Sequence, residues 1–168
     1  MYVIVMGVSG SGKTTIGKRL AERLACQFYD GDDFHTPANV AKMAAGIPLT
    51  NKDRAAWLAA LAALIQREVR RGERGVLACS ALKESYRKVL RVDASRVRFV
   101  YLKGSYDLIL SRMQNRKDHY MKPTMLQSQF RALEEPSDAL IVDIVNTPGE
   151  ICDEILSKIF PAVGSAKP

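Results

Sequence analysis

Gly7-Val8-Ser9-Gly10-Ser11-Gly12-Lys13-Thr14 is the segment that decides the fold of this 168-residue chain. It fits the pattern GxxxxGK[ST] at every constrained position. An apolar, β-prone run precedes it at residues 2–6, and Ile16, Leu20 and Leu24 recur after it at helical spacing. The sequence therefore predicts a strand, a glycine-rich loop and a helix, the setting in which this pattern binds phosphate groups.

The predicted loop supplies the groups that hold a nucleoside triphosphate. Glycines let backbone N–H groups turn inward toward phosphate oxygens, and the start of the next helix adds its positive dipole end. Lys13 is expected to contact the β- and γ-phosphates as a catalytic residue, and the Thr14 hydroxyl to bind Mg²⁺. The residues predicted to bind ATP here are Gly7, Val8, Ser9, Gly10, Ser11, Gly12, Lys13, Thr14 and Thr15.

Further apolar segments alternate with stretches of helical length. Strands are predicted at 2–6, 27–29, 76–79, 97–102 and 140–145, and the clearest helices at 53–71, 106–116 and 148–160. This alternation indicates an α/β fold of three layers, a five-stranded parallel sheet with helices on both faces. We expect one P-loop NTPase domain over residues 1–168, with a mobile lid at about 117–123 and a frayed tail at 161–168.

Composition narrows the possible partners. A net charge of +7 and a pI near 9.5 favour anionic partners. Only 7% of residues are aromatic, and no basic stretch alternates with stacking rings, so nucleic-acid binding is the weaker interpretation. Three scattered cysteines indicate neither a disulfide framework nor a zinc site. No apolar run is long enough to span a membrane, and we expect a soluble cytoplasmic protein.

Acidic residues follow the second predicted strand. Asp30 and Asp32 would lie at the carboxyl edge of the sheet, where open α/β folds bind their ligands. Asp32 is the candidate for orienting and deprotonating an attacking hydroxyl, and Asp30 for holding Mg²⁺ through water. The alternative is a solvated acidic turn that caps a helix. The third strand ends at Cys79 with no acidic residue, which raises the importance of both aspartates.

Five cations are candidates for contacts to anionic groups. Lys83 and Arg87 lie four residues apart on one predicted helix, and Arg54 opens another, which suits an anionic acceptor. Arg112 and Arg116 end the helix before the lid, where closure would bring them over the phosphates. The alternatives are solvated surface charges and residues that complement a helix dipole.

The chain resembles the small P-loop gluconokinases, which are related in fold to shikimate kinase and the nucleoside monophosphate kinases. Beyond the phosphate loop, the resemblance rests on Asp30-Gly31-Asp32, His35, Asn39, Lys42-Met43, Gly46, Pro48-Leu49, Asp53-Arg54, Trp57-Leu58, Cys79-Ser80-Ala81-Leu82-Lys83, Tyr86-Arg87, Tyr101-Leu102, Arg112, Arg116, His119 and Gln129-Phe130. The chain departs from the family pattern at Thr36, Asn51 and Ala56.

The resemblance implies transfer of the γ-phosphate of ATP to the 6-hydroxyl of D-gluconate, with Mg²⁺, by a protein that is commonly a homodimer. It also implies that Arg112 lies near the adenine or the phosphates, and that Arg116 and the following loop form the lid. The residues implied to line the sugar-acid site are Asp32, His35, Arg54, Lys83 and Arg87.

Two alternatives stay open at this point. Another small P-loop kinase could act on idonate, shikimate or a nucleotide, because the phosphate loop identifies the donor and not the acceptor. A nucleotide-binding regulator with slow turnover would carry the same loop. Acceptor-dependent release of ADP separates a kinase from a regulator.

Overall fold

A computed structural model describes residues 1–114 and 123–161 of the chain. The strands are β1 (Tyr2–Met6), β2 (Gln27–Asp30), β3 (Gly75–Ala78), β4 (Val97–Lys103) and β5 (Leu140–Asp143). The helices are α1 (Lys13–Leu24), α2 (Pro37–Ala44), α3 (Asn51–Arg70), α4 (Glu84–Leu90), α5 (Tyr106–Gln114), α6 (Pro123–Ala132) and α7 (Pro148–Ile159). A short 3-10 helix, Gly31–Phe34, follows β2 directly.

The five strands form one parallel sheet in the order β2-β3-β1-β4-β5. All five predicted strands are confirmed, with boundaries shifted by no more than two residues. Because every strand runs in the same direction, all carboxyl ends lie at one edge of the sheet. The loops that follow β1, β2 and β3 are therefore neighbours, although β2 and β3 are separated by more than forty residues in sequence.

Alternate residues of β1 enter two different cores. Val3 and Val5 pack with the apolar sides of α1 and α7, whereas Tyr2, Ile4 and Met6 pack with α3 and α4. Successive strand side chains point to opposite faces, so a strand that is buried throughout must feed two layers of helices. The predicted three-layer arrangement is confirmed.

Helix α3 begins at Asn51, two residues before the predicted start. The Thr50 side chain accepts a hydrogen bond from the Asp53 N–H, and the Asp53 carboxylate accepts one from the Thr50 N–H, so the two residues form a capping box. Lys42 of α2 pairs with the same Asp53 carboxylate at 2.7 Å. These contacts hold Asp53 ionised, and its pKa lies well below the ordinary range.

Helix α2 was not predicted, and α6 was expected only as a helical segment without bounds after the lid. Both are short and largely exposed, and neither has the continuous apolar stripe that identifies α3. The predicted lid lies outside the described residues apart from Pro123, and so does the tail beyond Pro161. In the described part of the chain, no helix is long and apolar enough to cross a membrane.

At Gly31 the backbone that follows β2 passes close to the end of β3. A Cβ atom at this position would lie 2.8 Å from the Ala78 carbonyl oxygen. The Gly31 carbonyl oxygen accepts a hydrogen bond of 2.7 Å from Trp57 Nε1, so the turn is held from a second side by α3. This turn carries Asp30 and Asp32, and its position depends on glycine.

We expect Gly31→Ala to destabilise the protein by about 1–3 kcal/mol, because the added methyl group must push β2 away from β3. Urea unfolding monitored by circular dichroism measures the change. Gly149→Ala is the matched control, since its Cβ would meet only the Thr147 hydroxyl at 3.9 Å inside α7. Equal stability of the two variants would show that the approach at Gly31 tolerates a side chain.

Candidate active site

The phosphate loop is held open by glycines with left-handed backbone angles. Gly10 and Gly12 have φ of 80° and 95°, a region that other residues rarely adopt. Gly12 is the N-cap of α1 and carries no side chain to cap the first turn. The first N–H groups of α1 therefore face the loop without a side-chain acceptor, as an anion site requires.

The Lys13 side chain extends back over the phosphate loop. Its Nζ donates to the Val8 carbonyl oxygen at 3.0 Å. Burial lowers the pKa of Lys13, and the nearby Asp32, Cys79 and Asp30 act in the opposite direction. The ammonium group is thus kept in the loop, close to two carboxylates, where it can meet a phosphate.

A cavity of about 450 Å³ lies in front of the loop. It is lined by the phosphate loop, by α1, β2, the 3-10 helix, β3 and α5, and by the residue that follows β3; the lining residues are Ser9, Gly10, Gly12, Lys13, Thr14, Thr15, Asp30, Asp32, Ala78, Cys79 and Met113. A larger groove of about 1160 Å³ runs along the outer side of β2, but it is lined by mixed charges such as Arg67 and Glu73 and by no residue of the phosphate loop. The smaller cavity is therefore the candidate active site, because the phosphate loop, Lys13 and the two aspartates line it.

Thr14 and Asp30 are brought together, as the sequence predicted for a magnesium site. Thr14 Oγ1 donates to Asp30 Oδ2 at 2.9 Å, and Asp30 Oδ1 accepts from the Asp32 N–H at 3.2 Å. Mg²⁺ prefers a few hard oxygen ligands and completes its shell with water and substrate phosphates. A hydroxyl and a carboxylate at the mouth of the loop fit that requirement.

Cys79 occupies the position after β3 where an acidic residue was found to be missing. It is buried in the cavity wall, and burial raises the pKa of its thiol to about 12. A neutral thiol cannot act as a metal-binding carboxylate at neutral pH. Among the residues described around this cavity, Asp30 and Asp32 supply the acidic groups.

His35 is part of a packed aromatic platform beside Asp32. Its ring stacks on Trp57 with centroids 4.6 Å apart and an angle of 12° between the planes. Asn39 lies 3.4 Å from His35 Nδ1, and its amide group also donates to the Asp53 carbonyl oxygen at 2.8 Å. The platform ties the 3-10 helix to α2 and α3.

Arg54 and Lys83 flank the ring of Tyr86, and each charged group lies 5.8 Å from the ring centroid. Arg54 Nη1 donates to the Leu49 carbonyl oxygen. Asn51 accepts hydrogen bonds from the Tyr86 hydroxyl at 2.7 Å and from Lys83 Nζ at 3.4 Å. Two of the three cations predicted for the acceptor side, Arg54 and Lys83, therefore lie together around an aromatic ring.

Arg87 is placed differently from these two. Its side chain is 1% exposed, and its guanidinium donates to the carbonyl oxygens of Ala81 and Leu82 and pairs with Glu84. In this structure it organises the turn that carries Lys83, and its contact with a substrate stays a prediction.

The two arginines expected near the nucleotide also differ. Arg112 Nη2 donates to the Ile144 carbonyl oxygen at 2.6 Å, which joins α5 to the end of β5. Arg116 lies outside the described residues. The roles of both as contacts to ATP stay predictions.

Gln129 is a residue of this site that the sequence reasoning did not assign. Its Oε1 accepts from the Ser9 N–H at 2.7 Å, and its Nε2 donates to Ser9 Oγ at 3.1 Å. The residues are 120 positions apart, and no local pattern indicates such a contact. In the sequence, a functional role of Gln129 is indicated only by its place among the residues that carry the family resemblance.

Comparison with known proteins accounts for this arrangement. The shikimate kinase family profile matches residues 9–160. The thermosensitive gluconokinase of Escherichia coli is 46% identical over 145 residues, which cover 84% of this chain and 78% of that protein. The chain belongs to the gluconokinase family. A probable gluconokinase of Mus musculus is also 46% identical, over 80% of this chain and 83% of the mouse protein.

Solved structures place this gluconokinase-family chain in the same fold. The crystal structure of a gluconokinase from Sinorhizobium meliloti 1021 superposes with a TM-score of 0.83 and 42% identity, over 93% of this chain and 89% of that one. Shikimate kinase from Aquifex aeolicus matches with a TM-score of 0.60 at 20% identity, which shows the shared fold alone. The recognised family and the kinase fold are both confirmed.

The protonation of His35 gives a pH test of the aromatic platform. Burial lowers its pKa below the ordinary value of 6.5, Asp32 opposes this shift, and Arg54 acts in the same direction as burial. The unfolded chain then binds more protons than the folded one just below pH 6.5, so we expect the free energy of unfolding to decrease as pH falls through that range. Urea unfolding at pH 7.5 and 5.5 measures the decrease.

His35→Gln is the comparison variant, and its stability should change less over the same interval. An NMR titration of the wild-type ring supplies the direct measurement. A His35 midpoint at or above 6.5 would contradict the proposed burial of a neutral imidazole.

Proposed function

We propose that this protein phosphorylates D-gluconate at the 6-hydroxyl, using ATP and Mg²⁺, and releases 6-phospho-D-gluconate and ADP. The observation that carries the proposal is the order of groups along the site. The Thr14–Asp30 pair adjoins Lys13, and Asp32 is close enough to both Lys13 and His35 to oppose the lowering of their pKa values by burial. Arg54 in turn acts on His35 and shares the Tyr86 ring with Lys83.

This order fits a linear sugar acid. In D-gluconate the 6-hydroxyl and the carboxylate are at opposite ends of the carbon chain, so one end can meet Asp32 while the other meets the cations. Within residues 1–114 and 123–161, neither Arg54 nor Lys83 forms a salt bridge with a carboxylate. Both therefore have charge available for an anionic acceptor.

The residues of the chain divide the chemistry between them. Asp32 orients the 6-hydroxyl and accepts its proton as the oxygen attacks the γ-phosphorus. The bond from that phosphorus to the β,γ-bridging oxygen breaks, and Lys13 stabilises the negative charge that develops there. When bound, Mg²⁺ would be held by Thr14 and, through water, by Asp30, and it supplies further charge neutralisation to the phosphates.

The proposal extends to the cell and to assembly. The similarity to gluconokinases supports a cytoplasmic homodimer, and light scattering on the purified full chain measures the mass of the assembly. Arg112 and Arg116 are proposed to contact the nucleotide. Arg87 is proposed to act at the acceptor side, through the turn that it holds or after a rearrangement.

A coupled ADP-release assay tests the function. We expect strong stimulation by D-gluconate, with much weaker release for L-idonate, shikimate, nucleoside monophosphates and a reaction without acceptor. Lys13→Ala should abolish the release, because the phosphate loop, residues 7–14, loses its one lysine. Equal slow release in every reaction would contradict a gluconate kinase and favour a nucleotide-binding regulator.

Replacement of the proposed base gives a second test. Asp32→Asn should lower kcat by about 100-fold or more, the usual contribution of a positioned general base, and change ATP affinity about twofold or less. Asp33→Asn removes the neighbouring exposed carboxylate and serves as the matched control. An Asp32→Asn enzyme with the kcat of the control would remove the base assignment.

A further inference from the structure

The segment formed by the second half of α6 and the loop that follows it contacts both halves of the proposed site. On the donor side, the Gln129 amide forms two hydrogen bonds with Ser9, one to its backbone N–H and one to its hydroxyl. A planar amide that satisfies a donor and an acceptor of the same residue fixes its position and its orientation. Ser9 is the third residue of the phosphate loop, so Gln129 restrains the loop directly.

On the acceptor side, Glu134 contacts the turn that carries Lys83. Its Oε2 accepts from the Glu84 N–H at 2.7 Å, and its own N–H donates to the Leu82 carbonyl oxygen at 2.9 Å. Lys83 is the N-cap of α4 and makes no side-chain capping bond, so Glu134 supplies the missing acceptor from elsewhere in the chain. The two bonds bracket Lys83.

The segment that carries both residues is itself anchored by apolar contacts. Leu126 is fully buried, and Leu133 packs against both hydrophobic clusters, one on each face of the sheet. Phe130 lies edge-on against Tyr106, with ring centroids 5.5 Å apart. Gln129 and Glu134 therefore lie on a segment that is packed against the core.

We propose that Gln129 and Glu134 are positioning residues that hold the phosphate loop and the Lys83 turn at a fixed separation. The γ-phosphate and the attacking hydroxyl must meet within a narrow range of distance, and small displacements of either side reduce the rate. One short segment that binds both sides sets that distance. The acceptor half of this inference rests on the proposed function, and the donor half does not.

The donor half is tested by binding of Mg-ADP, measured by calorimetry without any acceptor. Gln129→Ala should weaken binding by about 3- to 10-fold, the effect of losing one or two hydrogen bonds that order the loop. The matched control is Gln127→Ala, the same substitution at an exposed position two residues earlier in α6, which should bind like the wild type. Equal affinities for the two variants would overturn the role of Gln129.

The acceptor half is tested by steady-state kinetics with D-gluconate. Glu134→Ala should raise the KM for gluconate by about 3- to 10-fold and leave the KM for ATP within about twofold. Glu134→Gln keeps an oxygen that can accept from the Glu84 N–H and should recover most of the loss, whereas Glu73→Ala, at an exposed turn, should have no effect. Gln129→Ala should show the opposite pattern, with the KM for ATP raised and that for gluconate retained.

The possible results separate the two proposals. Parallel changes in both KM values, together with a lowered melting temperature, would mean that the segment only stabilises the fold and would overturn the inference. A wild-type enzyme that shows no gluconate-dependent turnover would refute the proposed function, and the Mg-ADP measurement would still decide the role of Gln129.

Discussion

The parallel register of β1, β2 and β3 is the constraint on which the site depends. Ala78 pairs with Val5 of β1 on one side and with Asp30 of β2 on the other. This register brings the end of β2 level with the start of the phosphate loop, so that the Asp30 carboxylate reaches the Thr14 hydroxyl. A shift of one residue would turn Asp30 to the opposite face of the sheet. The site therefore follows from hydrogen bonds of the backbone before any side chain is considered.

The acidic groups of the site come from the turn after β2, because no acidic residue follows β3. β3 runs into Cys79, whose buried side chain offers sulfur instead of the oxygen ligands that Mg²⁺ prefers. The carboxylates come from the turn after β2, where Gly31 allows the backbone to pass close to Ala78. The close approach at Gly31 thus allows the turn after β2 to place the Asp30 and Asp32 carboxylates in the site.

The acceptor side is built on a different principle from the donor side. The phosphate loop uses backbone N–H groups and one lysine, which suits any nucleoside triphosphate. Arg54 and Lys83 are instead held around the Tyr86 ring. A loop that recognises phosphate in general specifies no acceptor, which is why the loop alone did not identify the substrate.

The sequence by itself determined the phosphate loop, the five strands and the alternation of strands with helices that indicates a parallel sheet. These features depend on local patterns of glycine and on the spacing of apolar residues. It also placed Asp30 and Asp32 correctly at the edge of the sheet. Only the tertiary structure decided that Arg87 is enclosed by its own turn and that Gln129 binds Ser9 across 120 residues. Helix α2 was likewise not predicted, because it is too short to show a long periodic apolar face, although Thr36 and Pro37 supply a local signal for its start. Local sequence patterns specify the strands and helices, and they place the ends of parallel strands at one edge of the sheet. Contacts between individual side chains depend instead on which strands, helices and loops the fold brings together.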